Sequence, residues 1–205
     1  LGTLPLPRAW YRKFEPEKPA RHEDLSVGLI FHLSDHPRAP LSKRTAQDIA
    51  ALVHGGIKPA SPVLARGGKH HISLLPLLRN IITGELDADR MDYLLRDSHY
   101  AGVTYGQFDL ERILQSVTAI LPASSPTLLH LALEANALYT FEDFLLARYH
   151  MFLQVYFHKT APVFDYYLTQ ASRTGEMAVP PMKTWEDFLA WHDESLWHGL
   201  RAQEG

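Results

Sequence analysis

Apolar positions recur along most of this chain at intervals of three and four residues, the spacing of amphipathic helices. The pattern predicts helices over residues 22–33, with Leu25, Leu29 and Ile30 in phase, over 42–53, ended by Gly55-Gly56, and over 74–83. A further helix is predicted over 87–99, ended near Gly102, and another starts at Phe108 and fades before Pro122. Residues 128–139 also fit a helix. The longest helical pattern covers 141–170, where Pro162 is expected to kink or break it. A final amphipathic helix over 185–200 carries Trp185, Phe188, Leu189 and Trp197. Prolines and glycines mark 58–71 and 174–183 as loops and 102–107 as a turn-rich connector. No stretch alternates convincingly with a period of two. The fold class expected is all-α, with one core over 1–170 and a C-terminal loop and helix over 171–205.

Composition narrows the function. The 205 residues suffice for one domain with a real core. A net charge of −3 gives no broad basic surface for nucleic acid or anionic membrane. The absence of cysteine removes disulfides, thiolate zinc sites and cysteine nucleophiles, and suits a cytoplasmic protein. No run approaches the roughly 18 apolar residues of a membrane span, so no membrane partner is expected. The opening residues LGTLPLPRAWYRKF lack the basic start and apolar core of a signal peptide.

Chemistry concentrates in residues 84–112, GELDADRMDYLLRDSHYAGVTYGQFDLER, with five aspartates and three tyrosines. On a wheel of about 100° per residue, Met91, Leu94, Leu95 and Ser98 gather on one side. Asp89, Tyr93, Arg96 and Asp97 gather opposite, and Asp89, Tyr93 and Asp97 form an i, i+4, i+8 ladder. By itself this describes a solvated face with a surface Asp92–Arg96 pair. The later helix changes the balance. Phe141, Phe144, Leu145, Met151, Phe152 and Val155 make an apolar face with Arg148 in its middle, Lys159 on the same line and Tyr156 at its edge. A buried guanidinium costs several kcal/mol unless an anion meets it. The partner is either an acid such as Asp89, Asp92 or Asp97, or a phosphate, which suits arginine's planar fork. His22-Glu23 opens a helix after Pro19, either as a cap or as a proton-transfer group beside a phosphate.

These residues resemble a known family. LDADRMDYLLRDSHYAGVTYGQFDLERI is similar to the fourth motif of the HD-superfamily phosphohydrolases, in the branch of the deoxynucleoside triphosphate triphosphohydrolases. That branch includes a vertebrate enzyme joining a sterile-alpha-motif domain to an HD domain. HEDLS at 22–26 resembles its His-Glu-x-x-Ser helix start, and ARYHMFLQVYFHKT at 147–160 its Arg-x(7)-Tyr-x-His-Lys helix. The three motifs stand in family order over about 140 residues. The resemblance implies that Asp89 is the distal carboxylate ligand of a divalent metal ion, with Mg, Mn, Fe, Ni and Zn not distinguished, and that Asp87 supports the helix start. It places Arg90 and Arg148 on phosphates, Tyr93 and Asp97 on the sugar and its 3′-hydroxyl, Tyr156 beside the sugar, and His22 with Glu23 at the phosphate chemistry. His158 and Lys159 match the Tyr-x-His-Lys motif. The implied partner is a nucleotide substrate, a deoxynucleoside triphosphate, and the implied assembly a homo-oligomer.

The chain departs from the family in one respect above all. An HD site also uses a histidine and a His-Asp pair upstream of His22, and the 21 preceding residues contain no histidine. His192-Asp193 comes in the wrong order and reads as a surface helix start, and His70-His71 has no family counterpart. Phe152 stands where the vertebrate member has histidine. The expectation is therefore the C-terminal part of a longer HD core that hydrolyses a deoxynucleoside triphosphate to nucleoside and inorganic triphosphate. The alternative is a non-catalytic nucleotide-binding or oligomerisation module that has lost the metal site.

Overall fold

The computed structural model describes residues 21–65, 72–175 and 182–201, and these divide into two compact units. The larger covers Ile30–Tyr156; the smaller combines residues up to Leu29 with Phe157 onward. The fold class is all-α, with one small two-stranded sheet among the described residues. Parts of the expected loops, 66–71 and 176–181, and with them His70-His71, lie outside the described residues. Among the described residues no helix is long and apolar enough to cross a membrane.

Helix α1 (His22–Asp35) covers the stretch expected at 22–33, and in the larger unit helix α2 (Lys43–Val53) starts where Ser42 accepts the N–H of Thr45 at 3.1 Å. Its Ala46, Ala50 and Ala51 are fully buried, and their small side chains let α3 (Leu75–Thr83) pack closely. Arg79 of α3 donates from Nε and Nη2 to the Ala51 carbonyl, at 2.8 and 2.6 Å, and so satisfies an orphan carbonyl in the last turn of α2.

The loop after α2 is tied back by Asp48. Its carboxylate accepts the N–H groups of Ala60 at 2.7 Å and Ser61 at 2.8 Å, and the Ser61 hydroxyl. Burial raises the Asp48 pKa, but these hydrogen bonds together outweigh it and hold the carboxyl below its ordinary 3.8. A depressed folded value means the stabilisation is complete above pH 3.8 and fades as pH falls through that lower value. Asp48→Ala is expected to lower unfolding free energy by about 1–3 kcal/mol in urea melts at pH 7. The gap to the parent protein should close in acid; a gap that persists unchanged at low pH would contradict this role.

Helix α4 (Ala88–Ala101) carries most of the candidate chemistry and is fixed at both ends. Asp87, buried at the N-cap, accepts the Arg90 N–H at 2.7 Å, the supporting role expected of it. At the other end Gly102 takes φ 68°, and the N–H groups of Gly102 and Val103 bond the carbonyls of His99 and Ser98 at 3.2 and 3.0 Å. The connector then lies flat on α4 because Gly106 has no side chain: a Cβ there would stand 2.5 Å from the Leu94 carbonyl oxygen. Asp109 caps α5 (Leu110–Ser116) through the Arg112 N–H at 2.9 Å.

Three expectations are corrected here. The helix from Phe108 gives way to strand β1 (Val117–Ile120), and the helix expected over 128–139 is instead strand β2 (His130–Leu133), a 3₁₀ turn (Ala135–Ala137) and the start of α6. The strands pair antiparallel, Val117 opposite Leu133 and Ile120 opposite His130. Leu and Ala at 131–133 favour helix in isolation, but ladder pairing to Val117–Ile120 and the Ser73–Leu128 bridge override that preference. The long pattern over 141–170 is not one helix. Helix α6 (Leu138–Met151) passes into a π-helical turn, Phe152–Tyr156, and the chain breaks before α7 (Thr160–Thr174). Pro162 neither kinks nor breaks it: it lies in the first turn of α7, where its missing N–H costs no helical hydrogen bond.

The core beneath α4 is Leu94, Ile113, Phe144 and Met151, all fully buried. Phe108 meets Phe144 edge-on with ring centroids 5.0 Å apart, and Phe141 stacks on it at 6.2 Å. In the smaller unit the predicted final helix is two: α8 (Trp185–Ala190), opened by a Thr184–Asp187 capping box, and α9 (Asp193–Arg201). His192-Asp193 does begin α9 at the surface, as its sequence suggested.

Candidate functional site

Helices α4 and α6 pack side by side, and their polar edges meet along one strip. At one end, the Glu85 Oε2 oxygen accepts from Arg90 Nη1 at 2.5 Å and from Arg148 Nη1 at 3.0 Å. Two guanidinium groups thus converge on a single oxygen. Arg90 is further held by buried Asp87, its Nε 3.6 Å from Oδ2. The Arg148 hydrogen bond, followed by that from Arg90, keeps the Glu85 carboxyl below its ordinary value.

At the other end, the Tyr156 hydroxyl donates to Asp97 Oδ2 at 2.5 Å. Burial, then the Asp97 carboxylate, push the tyrosine hydroxyl well above its ordinary 10.0, so it remains a neutral donor. Between the two ends lies an aromatic wall. The Arg148 guanidinium sits 5.8 Å from the Phe152 ring centroid, Phe152 meets Tyr156 at 5.1 Å, and Tyr156 meets Tyr93 at 6.1 Å.

The π turn accounts for this alignment. Eight residues along a regular α-helix, a side chain has drifted about 80° from its starting line. A turn closed by i→i+5 bonds winds less per residue and reduces the drift. Arg148, Phe152 and Tyr156 therefore share one face, opposite Glu85, Tyr93 and Asp97.

Several expectations meet the structure at this strip. Arg90, Tyr93, Asp97, Arg148 and Tyr156 are brought together. Arg148 is not in the middle of a buried stripe: its side chain is 29% exposed, and the buried residues of α6 are Phe144, Ala147 and Met151. Its partner is none of Asp89, Asp92 and Asp97 but Glu85, which sequence spacing missed. Glu85 precedes the N-cap of α4 and so falls outside the helical periodicity that exposed the others. Asp92 and Arg96 form the expected exposed surface pair, at 2.8 and 2.9 Å. Asp89 is exposed in the first turn of α4. His22 and Glu23 belong to the other unit, with Nε2 and Oε1 3.3 Å apart. The capping role there falls instead to Asp24, which accepts the Arg21 N–H at 2.8 Å. His158 Nδ1 accepts the Thr160 N–H at 3.4 Å, a turn contact at the start of α7.

Among the described residues no group of three or more histidine, aspartate and glutamate side chains comes together to hold a metal ion. Asp89 alone does not make a hydrolytic metal site, since such sites commonly use about three protein ligands.

No family model matches the chain. It is 38% identical over 172 residues to the uncharacterized protein YwfO of Bacillus subtilis, covering 83% of this chain and 34% of that protein. It is 41% identical over 91 residues to the uncharacterized protein MJ1154 of Methanocaldococcus jannaschii, covering 44% of this chain and 20% of that one. The chain thus spans about a third of the length of the first relative and a fifth of the second. Among solved structures, a hypothetical protein from Aquifex aeolicus superposes with a TM-score of 0.65 at 26% identity, over 88% of this chain and 44% of that one.

Proposed function

We propose that this chain supplies the substrate-binding side of an HD-superfamily phosphohydrolase that converts a deoxynucleoside triphosphate to nucleoside and inorganic triphosphate. One observation carries most weight: two arginines converge on one oxygen at one end of a strip whose other end is a hydroxyl–carboxylate pair. Arg90 and Arg148 suit a polyphosphate, because converging guanidinium groups neutralise charge that shifts among phosphate oxygens. Asp97 and Tyr156 suit sugar hydroxyls, as acceptor and donor. Phe152, Tyr93 and Tyr156 offer apolar surface between them.

The divalent ion that such a reaction calls for does not fit the described residues, which offer Asp89 without companion ligands. What these residues do by themselves is bind and orient. Proton transfer by His22, with Glu23 beside it, rests on the motif resemblance, as does a homo-oligomeric assembly; a cytoplasmic location rests on the absence of cysteine. The incomplete metal set also favours a second reading, a nucleotide-binding module without catalysis.

The full-length protein, supplied in turn with Mg, Mn, Fe, Ni and Zn, should be assayed against a panel of nucleoside and deoxynucleoside triphosphates. Release of inorganic triphosphate from the deoxy forms is the expected result. Release of orthophosphate alone would contradict it, and tight binding without turnover would favour the second reading.

A further inference from the structure

The two arginines do not have equivalent partners. Arg90 keeps buried Asp87, whose side chain is 7% exposed and fixed as the N-cap of α4. Glu85 is different: its side chain is 73% exposed, it sits in a turn before the cap, and its Oε2 alone bridges both guanidiniums. An exposed carboxylate gains little net stability from such pairing, because water and salt compete for both charges. The convergence of two donors on one oxygen is nevertheless the arrangement a phosphate oxygen would take.

We propose that Glu85 is a built-in competitor for the anion site, a carboxylate latch that a phosphate must displace from Arg90 and Arg148. This deepens the substrate reading above and rests on it. The latch sets a threshold by charge. A phosphate monoester, with at most two negative charges, displaces it poorly, whereas a di- or triphosphate presents several oxygens to both arginines at once and regains the lost pairing. Glu85 thus lowers the affinity of every phosphate by one common factor, which leaves a weakly held monoester unbound while a polyphosphate still binds. Once displaced, its exposed side chain returns to water without strain on the cap, since Asp87 alone holds the start of α4.

The test is calorimetric titration of the full chain with sodium tripolyphosphate and with orthophosphate, at low ionic strength and without added metal. Glu85→Gln is nearly isosteric at an exposed position, and Glu85→Ala serves as a second variant. Both are expected to bind orthophosphate and tripolyphosphate alike about two- to fivefold tighter than the parent, the scale of an exposed ion pair. Unchanged or weaker orthophosphate binding in both variants, especially with a lowered melting temperature, would overturn the latch and leave Glu85 a structural tie. The two readings fail separately. If the parent binds tripolyphosphate, Arg148→Ala loses it and Glu85→Gln changes nothing, the latch alone is wrong. If neither parent nor Glu85→Gln binds tripolyphosphate, the anion site and the latch both fall.

Discussion

Arg148→Ala is expected to weaken tripolyphosphate and nucleotide binding roughly 10- to 100-fold, with little change in stability. The estimate follows from losing a charge-assisted hydrogen bond worth about 1.5–3 kcal/mol, where 1.4 kcal/mol is a factor of ten. Stability should barely move because the ion pair with Glu85 is largely exposed on the carboxylate side. Titration calorimetry beside a thermal melt checks both halves. A folded variant with unchanged affinity would reduce the Arg148–Glu85 contact to a brace between α4 and α6. Arg148→Lys should recover only part of the affinity, since an ammonium lacks the planar fork.

The largest loss of stability should come from Phe144→Ala, at about 3–5 kcal/mol in denaturant unfolding. Phe144 is fully buried, meets Phe108 and Phe141 ring to ring, and belongs to the core formed by Leu94, Ile113 and Met151. No small shift of backbone fills the space left by an aromatic ring between two others. A loss below about 1 kcal/mol would mean that the core collapses around the gap. Arg148 follows one helical turn later on α6, so a loosened core should also blunt anion binding without touching a polar group.

Much of the fold was legible because it is written in local periodicity. Helices α2, α3 and α4 appear within a residue or two of where apolar spacing and capping residues put them, with Ser42 and Asp87 as starts. The strands were not legible: Val117–Ile120 and His130–Leu133 are helix-compatible runs that become strands only through each other. The site was legible in part for the same reason. Asp89, Tyr93 and Asp97 share a helical period, so their common edge is visible in one wheel. The Tyr156–Asp97 and Arg148–Glu85 bonds join residues 59 and 63 positions apart, and no local pattern encodes them. The motif resemblance named Tyr156 and Asp97 separately, as expectations, and did not reach Glu85, which stands in a turn.

The π turn at Phe152–Tyr156 makes this part of the chain sensitive to length rather than to side-chain identity. Inserting one residue between Met151 and Tyr156 would rotate Tyr156 by about 100° about the helix axis, whereas deleting one would leave regular α-helix with Tyr156 seven positions from Arg148 and only about 20° off its line. The insertion would swing Tyr156 away from Asp97 while Arg148 stayed on Glu85, parting the hydroxyl end of the strip from its arginine end. A substitution at Leu153 or Gln154, by contrast, leaves both ends in register.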